Sequence, residues 1–390
     1  MPVTAKQPDA LELSTVPDEL LSIMIGAPRA GFRISTRLRQ MADAPLIWIV
    51  VLNWNGLNDT LTCIESLQHV HYKQRRVVIV DNGSTDGSVD ALRTARSRLD
   101  FELIETGMNL GYSGGNNAGI RHALDRGAEF ILILNNDTVV DPMVLDELVN
   151  AADDHPEVGC FGPWVFYMHD PRRLWWAGAA WSSNGLAFTC PGRGRLADEV
   201  SPERASADAI VGAALFFRAS VPRRIGLLDE RFFLCNEEYD WCCRARRAGF
   251  QCLTVPTARV WHKVSASFGG AASPLNNYFD IRNKLLFAEK NASPLELLRL
   301  LGRGIRRLWP PLRLDRRPGV PTLKALLWAC TSHLHDWSRK RRDPQEIAHR
   351  RAVFDYVTRR FGDCPPEVRV LNDAWTGNRA QAAASGRFTS

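Results

Sequence analysis

The 390-residue sequence has no hydrophobic run long enough to cross a bilayer. The longest apolar stretch near its start, LIWIVVL at residues 46–52, has the length of a strand, far short of the roughly 18 residues of a membrane-spanning helix. The N-terminus carries Lys6, Asp9 and Glu12 with no uncharged core after a basic start, so no secretory leader is expected. The cysteines number nine, an odd count with no CxxC pair, and Cys242 and Cys243 are adjacent. That usage argues against a disulfide framework or a zinc site and for reduced thiols in a cytoplasmic setting. Internal repeats and low-complexity tracts are missing. So are both common phosphate-binding signatures, a P-loop and a GxGxxG at the first strand–helix turn.

What is present is a globular composition, with 45% hydrophobic and 24% charged residues, and enough length for one large domain or two ordinary ones. Charge is uneven. The chain is +6 in total, yet residues 291–390 hold 19 Lys and Arg against 9 Asp and Glu. The basic excess therefore belongs to the C-terminal quarter.

Residues 1–44 read as an extension, with a helix around residues 19–23. From there a repeating pattern begins. Strand 46–52 runs into NWNGLND, followed by helical spacing of Leu61, Ile64 and Leu67 over residues 57–67. Strand RVVIV (76–80) leads to the breaker-rich DNGSTDGS and a helix over 88–99. Strand 101–105 leads to a glycine-rich loop, MNLGYSGGNN, and a helix over 118–126. Strand FILIL ends abruptly on Asn135-Asn136-Asp137, and a helix over 143–152 follows. This alternation predicts an α/β fold with a mostly parallel central sheet and flanking helices. The next part is less regular. VGCFGPWVF, IVGAALFFR, CLTVP and RVW are strand candidates, and residues 229–250 read as a turn and then a helix, acidic at its start and basic at its end.

In parallel α/β sheets, ligands bind outside the carboxyl ends of the strands. NWN, DNGSTD, MNLGYSGGNN and NND therefore share one rim, which collects Asp81 and Asp137. Such acids serve a turn or a helix cap, or a hard divalent cation bridging a diphosphate. The residues alone leave both open.

Taken in order, VVLNWNG, VIVDNGSTDGS, ILILNNDTVVDP, FFLCNEEYDWCCRARRAG and WHKVSAS resemble glycosyltransferase family 2, over about residues 46–290, and most closely its rhamnosyltransferase-like bacterial members. The resemblance implies the nucleotide-diphospho-sugar transferase fold (GT-A) in residues 45–290, with a basic helical region at 291–390. It implies an inverting transfer from a UDP- or dTDP-sugar, dTDP-rhamnose by subfamily, to a hydroxyl of a glycan or lipid-linked acceptor in cell-surface glycan synthesis. A divalent metal, Mg²⁺ or Mn²⁺, would assist.

The resemblance assigns Asp81 to the nucleobase N3–H, with Leu52 and Trp54 flanking the base. Asn109, Gly115 and Asn116 would lie under the ribose. Asn135, Asn136 and Asp137 stand where the family has Asp-x-Asp: Asp137 takes the metal position, and Asn135 replaces the first acid, although an amide can still bond a ribose hydroxyl. His262 would join Asp137 on the metal. Glu238 takes the place of the catalytic base, one methylene longer than the usual Asp, with Asp240 as the runner-up. Trp175, Trp176, Trp181 and Trp241 line an acceptor cleft or pack in the core. A non-catalytic nucleotide-sugar or glycan-binding module is the competing class. The leucine- and arginine-rich stretch at 295–314, with Trp309, and the later cluster at 339–342 suit either an anionic membrane surface on the cytoplasmic side or a solvated helical cap. No nucleic-acid partner is expected.

Overall fold

The computed structural model describes residues 44–182, 187–264, 272–308 and 342–384. The extension helix expected at 19–23, the end of WHKVSAS, Trp309 and the basic cluster, apart from Arg342, lie outside them. The elements in chain order are β1 (Ile47–Asn53), α1 (Leu57–Gln68), β2 (Arg75–Asp81), α2 (Ser88–Ala95), β3 (Glu102–Glu105), α3 (Gly111–Asp125), β4 (Phe130–Asn135), β5 (Thr138–Val140), α4 (Val144–Asp154), β6 (Val158–Tyr167), β7 (Leu174–Trp176), β8 (Ala180–Ser182), β9 (Ala187–Thr189), β10 (Ala205–Ala207), β11 (Ala214–Arg218), α5 (Ser220–Ile225), α6 (Glu237–Arg247) and β12 (Gln251–His262). Four further helices follow: α7 (Pro274–Asn291), α8 (Pro294–Leu308), α9 (Pro344–Val357) and α10 (Pro366–Ala384).

One mixed sheet organises the chain, in the order β10-β12-β6-β11-β4-β1-β2-β3. β3, β2, β1 and β4 are mutually parallel. β11 enters antiparallel between β4 and β6, and β12 runs parallel to β6. The continuous apolar runs of β1, β2 and β4 are buried because helices cover both faces. As expected, their carboxyl ends share a rim: Asn53 lies opposite Asp81, and Leu52 opposite Asn135.

Two local expectations change. The glycine-rich segment is the first turns of α3, not a loop. Gly111, at φ 71°, starts the helix, and Asn109 accepts its N–H at 2.8 Å. Gly115 and Gly119 then let the helix lie against β1, where a methyl group would strike Leu52 and Val50. CLTVP and RVW form one strand, β12, whose register slips between Val255 and Arg259. That irregularity broke the alternation on which two strands were read.

The C-terminal helices pack onto the sheet domain. Ser273 and Asp343 cap α7 and α9, each followed by a proline at the first helical position. Tyr278 and Phe279 of α7 meet Ala348 and Ala352 of α9 and Val368 of α10, with Phe233 in the same cluster.

Candidate active site

The rim is built by short polar side chains that bond one another. Asn53 Nδ2 donates to Asp81 Oδ2 at 2.8 Å, and the Ser84 N–H donates to Asp81 Oδ1 at 2.9 Å. Asp81 is buried, so its carboxylate is fixed at the floor of the β1–β2 end. Leu52 is half-buried above Gly115, and Trp54 is partly exposed on the rim. Asn82 ties the next loop in, donating to Asn109 Oδ1 at 3.1 Å and to the Gly111 carbonyl at 3.1 Å. Asn116 donates to the Tyr112 carbonyl at 2.9 Å, while its Oδ1 is buried without a partner.

The triplet at the end of β4 spreads in three directions. Asn136 Nδ2 donates to Thr60 Oγ1 at 2.9 Å, toward α1. Asn135 Nδ2 lies 3.4 Å from His262 Nε2. Asp137 Oδ1 lies 2.9 Å from the same ring nitrogen. β5 and β12 pair Thr138 with His262, and this pairing brings residues so distant in sequence together. His262 Nδ1 is buried without a partner, and Trp175 meets the ring edge-on at 4.6 Å. Arg193 lies over the Trp175 ring, 5.5 Å from its centre.

These donors fit a hard divalent cation in one respect. One carboxylate and one imidazole converge, and Mg²⁺-type sites are commonly completed by a substrate's phosphates and water. No group of three or more His, Cys, Asp or Glu ligands exists among the described residues, so protein atoms alone do not form a closed cage.

The second acidic cluster reaches the same rim through the start of IVGAALFFR, which the sequence marks only as a strand candidate. The Asn135 N–H donates to the Ala213 carbonyl at 3.0 Å. Next to it, the Gly212 carbonyl accepts the Tyr112 hydroxyl at 2.6 Å, and the Gly212 backbone is among the groups that pull the Glu238 carboxyl down. Gly212 thus links the strand-end triplet, α3 and the acidic pair. A side chain there would run into Tyr112. Glu238 is half-buried, and burial pushes its carboxyl up to about 7 against the backbone N–H groups that pull it down. Glu237 is buried, and its carboxyl is pushed well above the usual range by burial and by Glu238.

Asp240 sits in a different setting. It is fully buried, and its Oδ2 accepts from Arg244 Nε at 3.0 Å and Lys290 Nζ at 2.8 Å. Its Oδ1 accepts from Asn291 Nδ2 at 3.0 Å. Every direction from this carboxylate leads to α6 or α7. Trp241 and Trp176 are core residues, the former donating to the Gly226 carbonyl. Trp181 packs on Phe188 and Phe287. Only Trp175 of the four lies against the rim. One further residue was invisible in the sequence: Arg369 of α10 places its guanidinium over Trp54, 5.7 Å from the ring centre.

A parallel sheet whose strand ends present Asn53, Asp81 and Asn135-Asn136-Asp137, with a carboxylate pair beside them, defines the nucleotide-diphospho-sugar transferase class of α/β fold. The sequence model of glycosyl transferase family 2 matches residues 48–221, the stretch that holds the strand ends of the rim. A hexosyltransferase of low-salt glycan biosynthesis from Haloferax volcanii is 29% identical over 61% of this chain and 74% of its own length. An N-acetylglucosaminyl-diphospho-decaprenol L-rhamnosyltransferase from Mycobacterium tuberculosis is 27% identical over 50% and 68%. A dTDP-rhamnosyl transferase from Shigella flexneri is 25% identical over 64% and 82%. The chain is a glycosyltransferase, which sets aside the non-catalytic module.

Proposed function

We propose that the protein moves a sugar from a UDP- or dTDP-sugar to an acceptor hydroxyl with inversion, in the synthesis of a surface glycan. dTDP-rhamnose is the favoured donor and a lipid-linked glycan the favoured acceptor, in keeping with the two rhamnosyltransferase relatives. The observation that carries the reading is the juncture at 212–213, where the Asn135 N–H bonds the Ala213 carbonyl and the adjacent Gly212 backbone acts on the raised Glu238 carboxyl.

The roles follow from chemistry. Asp81 receives the N3–H of the base, between Leu52 and Trp54. Asn109 and Asn116 flank the ribose, with Gly115 giving close approach, and Asn135 and Asn136 bond the sugar–phosphate part. Asp137 and His262 would hold the divalent metal with the donor diphosphate, where the cation would offset negative charge gathering on the leaving group. Glu238 takes the proton of the acceptor hydroxyl as its oxygen bonds the anomeric carbon. The bond from that carbon to the phosphate oxygen breaks, and the nucleoside diphosphate leaves. One displacement inverts the centre. No helix among the described residues is long and apolar enough to cross a membrane. A peripheral position on an anionic surface, at the cytoplasmic face, is supported by α8, where Leu295 and Leu298 are exposed beside exposed Arg299 and Arg303.

The test is Glu238→Gln, which keeps shape and removes the base. Hydrolysis of dTDP-rhamnose, with water as acceptor, should fall roughly 10²-fold or more while donor binding persists. Undiminished turnover would remove Glu238 from the reaction.

A further inference from the structure

The turn before the acidic pair holds an unusual backbone. Phe233, Cys235 and Asn236 have φ of 63°, 70° and 71°, and none is glycine. Asparagine tolerates this left-handed conformation, but phenylalanine and cysteine seldom adopt it unless their surroundings hold them there, and such sites gather where geometry matters for function. Glu237 and Glu238 follow directly as the first residues of α6.

The enforcement comes from α7. Arg282 and Asn283 are both fully buried. Asn283 Nδ2 donates to the carbonyls of Phe232 at 2.8 Å, Leu234 at 2.5 Å and Cys235 at 2.9 Å. Arg282 Nε donates to Asn283 Oδ1 at 3.1 Å, which orients the amide, and another guanidinium nitrogen donates to the Phe232 carbonyl at 3.0 Å. Behind the guanidinium, the Tyr278 hydroxyl lies at 3.3 Å and donates to Asp355 of α9 at 2.8 Å. On the other side, the Phe233 carbonyl accepts the N–H groups of Tyr112 at 2.6 Å and Ser113 at 3.3 Å, from the first turn of α3. A buried guanidinium is expensive to desolvate, and apolar packing would serve bulk stability as well. Here the polar network terminates on the carbonyls of the strained turn and, through Arg282, on that of Gly362 at 2.7 Å.

We propose that Asn283, oriented by Arg282, is a positioning residue for sugar transfer: it holds the 232–236 turn in its left-handed form and so sets where the Glu238 carboxylate meets the acceptor hydroxyl. The inference rests on the reading of Glu238 as the base. It makes α7, and α9 behind it, part of the catalytic apparatus rather than a cap.

The experiment compares wild type with Asn283→Ala, and with Asn283→Ser where the alanine variant does not fold. It measures dTDP-rhamnose hydrolysis across pH and amide exchange over residues 233–240. The expected result is a kcat lower by about 10- to 100-fold, as misplacing a reacting group by an ångström produces, with donor KM within about twofold. The acidic limb of the kcat–pH profile should move down from near 7 as Glu238 gains water, and the turn amides should exchange faster. A folded variant with wild-type kcat and an unmoved limb overturns the proposal, even if its melting temperature falls. Glu238→Gln separates the two ideas. Should that variant stay active, the base reading fails, while faster exchange with lower kcat in Asn283→Ala would still support the hold and unchanged exchange would overturn it.

Discussion

At the residue scale, two acids two positions apart have opposite chemistry. Glu238 has few partners and a carboxyl raised to about 7, chiefly by burial, so near neutral pH it is poised between its two forms. A base must be ionised, so turnover should rise with pH through about 7 and then level, and Glu238→Gln should abolish that rise. The stability sign is opposite. A carboxyl raised in the folded state favours folding below its unfolded pKa, and that contribution is lost as pH climbs through about 7. Glu238→Gln should therefore be more resistant to denaturant than wild type at pH 8, and a urea titration would read it. Asp240 holds structure instead. Its carboxylate is buried and its partners Arg244, Lys290 and Asn291 are partly so, so Asp240→Asn leaves charges poorly matched and should cost about 3 kcal/mol of stability. If Asp240→Asn instead folds as wild type and loses only turnover, the roles of the two acids are exchanged. The sequence could place both near a helix start but could not separate them, because the difference lies in what α7 presents to each.

At the element scale, the strands and helices of the first half were legible because each buried strand of the parallel sheet is a short apolar run closed by small polar residues. α3 was misread because glycine normally signals a loop. Here Gly115 and Gly119 serve close packing against β1 instead, a use visible only when the neighbouring strand is in place. The halves of β12 were misread for a similar reason, since the slip after Val255 interrupts a pattern that the pairing with β6 restores. α8 carries a prediction of its own. Its described inward face, Leu300 and Leu301, packs toward Val353 and Tyr356, while Leu295 and Leu298 face solvent beside Arg299 and Arg303. Full-length protein should co-sediment with vesicles containing anionic lipid. Binding should weaken as salt rises and drop in Arg299→Glu/Arg303→Glu. Protein that remains in the supernatant at low salt would make α8 a structural helix only.

At the scale of the whole molecule, the C-terminal helices touch the site in two places: α7, backed by Asp355 of α9, at the turn before Glu238, and α10 through Arg369 over Trp54. Neither contact has a local sequence signature, since each joins segments more than a hundred residues apart or depends on three helices meeting. The rim proposed for the donor, by contrast, is legible as a set of strand ends on one side of the sheet. In the proposed reaction a nucleotide-sugar is turned over where Asp137 and His262 would hold a divalent metal with the donor diphosphate. The most direct measurement is the rate of dTDP- or UDP-sugar hydrolysis as Mn²⁺ is titrated into chelator-treated wild type and Asp137→Ala. Wild-type activity should vanish with chelator and return with Mn²⁺, and Asp137→Ala should stay inactive at every metal concentration. Wild-type rates from Asp137→Ala in excess chelator would contradict it.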